Sequence, residues 1–387
     1  MILPAIVILL ALGSFGWLLA SQDGPAQRAA RALDAERRSA QALQIAREAL
    51  LGFAANYRNS EHPNADFGYL PCPDLNGDGS SETCGRQGHT SVGRLPYLTL
   101  NLPDLRDGGG ECLWYAVAGS MKNNPKAAAV NWDSKGRFRL LDENRQPRAL
   151  RGDQDGLAVA VVIAPGRPNG EQQRSPGPGR CGGDPEARQL EHYLETLAST
   201  HATDVIEVQP PSDRNNDRVA TITTGDIYTR LKLRPSYTRH LQRVFEAVAA
   251  CLDATNLPPP VGNARHGPVQ LGRLPAADSL RGTCRQEDLR DATGNWLPMM
   301  RYARCINGRD CLAGGNRRCR GALLFAGEPL GGTRPQRRDG SADSQAIEQY
   351  LEAPTLAALT AGELTGLPER ILLSPPHSTT DVALCLP

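Results

Sequence analysis

The chain repeats itself, and a duplicated sequence has to fold as two units of one kind. Six short segments of the first half recur in the same order in the second. "REALLGFAANY" (47–57) is matched by "QRVFEAVAACL" (242–252), and "GYLP" (68–71) by "GRLP" (272–275). "CLWYAVAG" (112–119) is matched by "WLPMMRYARC" (296–305), and "VVIAPGRPNGEQQR" (161–174) by "LLFAGEPLGGTRPQR" (323–337). "RQLEHYLE" (188–195) pairs with "QAIEQYLE" (345–352), and "VIEVQPPSDRNND" (205–217) with "RILLSPPHSTTD" (370–381). The pattern predicts a first unit over 59–232 and a second over 236–387. The extra stretch 120–155 of the first unit, rich in Asn, Arg and Asp, reads as a surface loop or hairpin.

Each unit reads as a helix, a Pro-rich loop, short apolar strands, a Gly/Pro loop and a Tyr-Leu-Glu segment. "LAVAVVIA" (157–164) and "GALLFA" (321–326) are the expected buried strands. With 39 Gly, 30 Pro and few aromatic residues, short strands and long connections are favoured over a helical bundle. The fold class that follows is α+β, with a helix packed on one face of a mostly antiparallel sheet in each unit.

Ahead of the units lie two further segments. Residues 2–20 carry no charge and as a helix would span roughly 28 Å, close to a hydrocarbon core. They predict a transmembrane anchor over 1–22. Apolar residues Leu43, Ala46, Leu50, Phe53 or Ala54, and Tyr57 then recur at helical spacing. They predict an amphipathic helix over 25–58.

The ten cysteines are Cys72, Cys84, Cys112, Cys181, Cys251, Cys284, Cys305, Cys311, Cys319 and Cys385. None forms a Cys-x-x-Cys pair or stands at zinc-finger spacing from a histidine. They read as disulfide cysteines in an oxidising compartment. Arg28, Arg31, Arg37 and Arg38 follow the apolar run and by the positive-inside rule would hold the bulk of the chain in the cytoplasm. The cysteines argue the other way, so a short basic leader ahead of Met1 is expected. Lys+Arg at 43 against Asp+Glu at 42 leaves no basic excess for binding nucleic acid.

The stretch "GYLPCPDLNGDGSSETCG" (68–85) sets Asp74, Asn76, Asp78, Ser80 and Glu82 at alternate positions, with Gly77 and Gly79 between them. That is the first half of a calcium loop, although Gly85 stands where its closing glutamate would be. A Ca2+ site and a solvated Asx/Gly turn both fit the spacing, and a Cys72–Cys84 disulfide would clamp either. "SDRNNDR" (212–218) reads as an Asx-rich turn, and "RCINGRDCLAGGNRRCR" (304–320) as a disulfide knot with a solvated basic face.

The apolar start, the helix ending in "AREALLGFAANY", and then "GYLPCPDLNGDG", "GRLPYLTLNLPDLRDGGGECLWYAV" and "VVIAPG" together resemble the type IV pilin and pseudopilin superfamily. More narrowly, they are similar to large pilin-like envelope proteins of proteobacteria. The resemblance implies a single-pass inner-membrane anchor with the bulk in the periplasm or at the cell surface. It also implies partnership with other pilin-like subunits or with type IV pilus or type II secretion machinery. The chain departs from the pattern in having no prepilin peptidase site and Ala5 in place of the family's glutamate. The expected function is therefore a non-enzymatic, anchored structural or adhesive protein. The alternatives are a periplasmic hydrolase, for which His192 beside Glu191 and Glu195 is the one acid–base candidate, and a calcium-dependent binding module. No nucleophile elbow, phosphate loop, zinc-protease or dinucleotide motif is present.

Overall fold

The computed structural model describes residues 24–60, 67–150, 156–170, 172–174, 181, 190–197, 205–252, 257–274, 293–328, 346–371 and 380–386. The expected anchor over 1–22 and Cys284 lie outside them. Among the described residues no helix is long and apolar enough to cross a membrane.

Helix α1 (Pro25–Ser60) begins with proline at its first position, where the missing N–H costs nothing. Residues 25–34 are all exposed, while Ala42, Leu43, Ala46, Leu50, Leu51, Ala54 and Ala55 are buried. The small residues on that stripe let the helix lie close against strands β4 (Ala160–Ala164) and β6 (Arg218–Ile222). Arg47 fixes the placement. Its Nε donates to the Thr221 carbonyl at 2.9 Å, and its Nη2 lies 2.9 Å from Asp226 Oδ1.

The first sheet has the order β1-β2-β4-β6, all antiparallel, with β1 at Ser91–Arg94 and β2 at Trp114–Val117. A separate parallel pair joins β3 (Phe138–Leu140) to β5 (Ile206–Val208). Two helices follow. Helix α2 (Thr224–Lys232) opens on a capping box, with Thr223 Oγ1 accepting from the Asp226 N–H and Asp226 Oδ2 from the Thr223 N–H. Helix α3 (Pro235–Ala250) buries Tyr237, His240, Leu241, Val244, Phe245 and Val248 on one face.

The second sheet has the order β7-β8-β9-β12-β13, again antiparallel throughout. Its strands are β7 (Val261–His266), β8 (Val269–Arg273), β9 (Met300–Cys305), β12 (Gly321–Phe325) and β13 (Val382–Leu386). The short α4 (Thr293–Trp296) precedes β9. The hairpin β10 (Leu312–Gly314) and β11 (Arg317–Cys319) lies between β9 and β12, and α5 (Ala353–Ala361) lies ahead of β13.

The two sheets superpose in connectivity and register: β1, β2, β4 and β6 correspond to β8, β9, β12 and β13. Tyr115 faces Gly93 and Val162 in the first sheet, as Tyr302 faces Gly272 and Leu323 in the second. This corrects one expected match, because the counterpart of "GRLP" at 272–275 is the "GRLP" at 93–96 on β1, not "GYLP" at 68–71. By the same register Tyr115 corresponds to Tyr302 and Trp114 to Arg301.

In each unit one sheet face packs under a long helix, α1 or α3, and the other under a 3₁₀ turn that carries Tyr193-Leu194-Glu195 or Tyr350-Leu351-Glu352. One hydrophobic cluster runs through both units, and a second fills the other face of the first sheet. Residues 120–155 are more than a surface loop: Met121, Lys122, Val130 and Phe138 are fully buried. Trp132 stacks edge-on against Trp296 (4.8 Å) and Phe325 (5.6 Å) of the second unit. Asn295 Oδ1 accepts from the Val130 N–H at 3.0 Å, and the Asn295 carbonyl accepts from Asn131 Nδ2 at 2.8 Å. Gly108 explains the "GGG" run, because a Cβ there would sit 1.8 Å from the Ala35 carbonyl oxygen of α1.

Candidate metal centre and a repeated carboxyl pair

The segment 72–84 is closed by a Cys72–Cys84 disulfide. Its first residues extend the sheet edge, as Asp74 exchanges backbone hydrogen bonds of 2.9 and 3.0 Å with Arg94 of β1. Both ends are held by the 121–126 segment. The Cys72 N–H donates to Asn123 Oδ1, and the Cys84 N–H donates to the Asn124 carbonyl. The buried Lys122 Nζ donates to the carbonyls of Cys84 (2.5 Å) and Arg86 (2.6 Å).

Within this frame Asp74, Asp78 and Glu82 bring carboxylate oxygens within 4.8 Å of one another. Asp74 is buried and accepts from the N–H groups of Gly77 (2.5 Å) and Gly79 (2.8 Å). Glu82 Oε2 accepts from the Leu75 N–H, while its Oε1 is buried with no hydrogen-bond partner among the described residues. Burial, followed by the neighbouring carboxylates, pushes the Glu82 carboxyl up. Burial pushes Asp74 up against the pull of its two N–H donors. Asp78 is held low by the Ser80 N–H. Asn76 and Ser80 direct their polar groups to Asp78: Asn76 Nδ2 donates to Asp78 Oδ2 (3.2 Å) and the Ser80 N–H to Asp78 Oδ1 (2.7 Å). Three of the five expected ligands therefore converge, and the other two support them. Glu82 reaches back across the loop where no closing glutamate exists.

The cysteines pair as Cys72–Cys84, Cys112–Cys181, Cys305–Cys311 and Cys319–Cys385; Cys251 is also disulfide-bonded, and no described cysteine is free. Two of the five arginines in the stretch 304–320 are ion-paired, Arg320 at 3.4 Å from Asp310 and Arg317 at 3.8 Å from Glu369. His192 Nδ1 accepts from the Gln173 N–H at 3.3 Å.

Sequence reasoning missed a second cluster. Asp217, one residue before β6, accepts from the N–H groups of Glu195 and Thr196, both at 2.9 Å. Asp381, one residue before β13, accepts from the Glu352 N–H at 2.8 Å. In both units this N–H contact sets the aspartate carboxyl beside the glutamate of the turn. Above each pair a guanidinium lies on the turn's tyrosine. Arg94 and Arg174 lie 4.4 and 5.0 Å from the Tyr193 ring, and Arg301 lies 3.4 Å from the Tyr350 ring. The only sequence signal was that two of the repeated segments end in Glu195/Glu352 and in Asp217/Asp381. No family model, curated protein or solved structure matches this chain.

Proposed function

We propose that the chain is an anchored structural protein of the bacterial cell envelope, pilin-like in plan, with two disulfide-stapled units carried on the free first turns of α1. The observation that carries this reading is the division of α1. Residues 25–34 are exposed and extend the helix by about 15 Å beyond the body, while the following turns are packed on the sheet. The oxidised cysteines support a location outside the cytoplasm. Residues 2–20 supply the inner-membrane tether, and other pilin-like subunits or pilus and secretion machinery are the partners of the units. Cell fractionation with thiol titration tests the reading: the natively expressed protein should require detergent for extraction and show no free thiols. A soluble protein with reactive thiols overturns it.

A second reading is favoured by Glu82. Three converging carboxylates and one buried, unpartnered oxygen suit a hard cation that prefers oxygen ligands, so the clamped loop would hold Ca2+. Calcium at a hundredfold over its dissociation constant should then stabilise the protein by about 2.7 kcal/mol. Asp78→Ala and Glu82→Gln should abolish that gain. A melting curve unmoved by millimolar calcium leaves the segment as a disulfide-clamped turn.

A further inference from the structure

The paired carboxyls occur twice at equivalent places. Glu195 Oε2 and Asp217 Oδ1 are both buried and have no N–H or O–H donor among the described residues, and the Glu195 N–H, which donates to Asp217 Oδ2, sets the two residues side by side, as the Glu352 N–H does for Asp381. Two neighbouring carboxyls withdrawn from water are best accommodated with a proton between them. We propose that in both units the Asp–Glu pair shares one proton and acts as a pH-sensitive latch that holds the Tyr-Leu-Glu turn on the sheet.

The surroundings of each pair are defined. Facing Asp217 are Glu195 on the turn and Arg174 on the loop after β4. Arg174 also approaches Glu111 at 3.5 Å and shares Tyr193 with Arg94, while Gln172 Nε2 donates to Glu195 Oε1. Arg218, next in sequence, turns away to Glu36 of α1. Facing Asp381 are Glu352 on the turn and Thr355 on α5. Gly327 donates its N–H to Asp381 Oδ1, and Thr380 Oγ1 lies 3.0 Å from Glu352 Oε1. Glu328, on the adjoining loop, is paired with Lys232 of α2. Burial first, and then the neighbouring glutamate, push Asp217 up to about 8, and burial together with Glu352 pushes Asp381 up as well.

With the turn released, the aspartate left on the sheet would lose its proton near pH 3.9. Between that value and about 8 the closed turn binds more protons than the open one, so opening grows easier as pH rises and levels off above about 8. Release would uncover Trp114, Tyr193 and the Arg94 guanidinium between them.

Hydrogen exchange of peptides covering 190–197 and 346–352, corrected for intrinsic base catalysis, reads the latch in the intact protein. Across that window the opening constant of 190–197 should rise by up to about tenfold per pH unit, and that of 346–352 should rise with pH in the same direction. Asp217→Asn and Asp381→Asn, which supply a permanent amide donor, should each flatten the profile of their own turn. A flat profile in the unmodified protein, or Asn variants that follow it, overturns the proposal and leaves the turns held by apolar packing. If a variant does not fold, the unmodified protein's profile decides alone.

Discussion

Trp296→Ala should lower the unfolding free energy by about 3–5 kcal/mol, the cost of removing a large side chain from a site that cannot collapse. The indole is 2 % exposed and lies among Trp132, Tyr228, Tyr237 and Phe325, with ring centroids 4.8 to 6.3 Å away. These residues come from the 120–155 insertion, from α2 and α3, and from β12, so the cavity would open between the two units. Chemical denaturation should show the loss, and the transition should broaden as the units cease to unfold together. A shift below about 0.5 kcal/mol, within the range of ordinary surface substitutions, would mean that the units are joined elsewhere.

The double change Cys112→Ser with Cys181→Ser should cost about 4 kcal/mol, because the bridge closes 69 residues of chain and removes that much freedom from the unfolded state. The same change at Cys305 and Cys311, which close only 6 residues, should cost about 2 kcal/mol. The order of the two is the test: a short bridge that matters more than the long one would show that native-state packing around Cys305, not chain entropy, sets the effect.

Much of the scaffold is legible in the sequence because it rests on local pattern. The helical spacing from Leu43 to Ala54, the apolar runs that become β4 and β12, and the two Tyr-Leu-Glu turns all lie where periodicity and repetition put them. The clamped loop is legible for the same reason, since five oxygen-bearing and two glycine positions within one turn of chain state their own geometry. What escapes are relations between distant segments. A four-residue match assigned "GRLP" to the wrong partner because 68–71 and 93–96 carry almost the same letters, and only strand register separates them. The insertion reads as polar, so its Trp132 gives no sign of reaching the second unit. Asp217 reads as one more residue of an Asx turn. Its burial beneath the Glu195 turn is created by the fold and has no local signature.

The long disulfides also set how far the molecule can be drawn out. Residues 112–181 would measure roughly 230 Å if stretched end to end, and residues 319–385 nearly as much. With both bridges closed neither length can be released, so a pull on α1 would draw out only the chain outside the two loops and would stiffen at a shorter extension than the reduced chain.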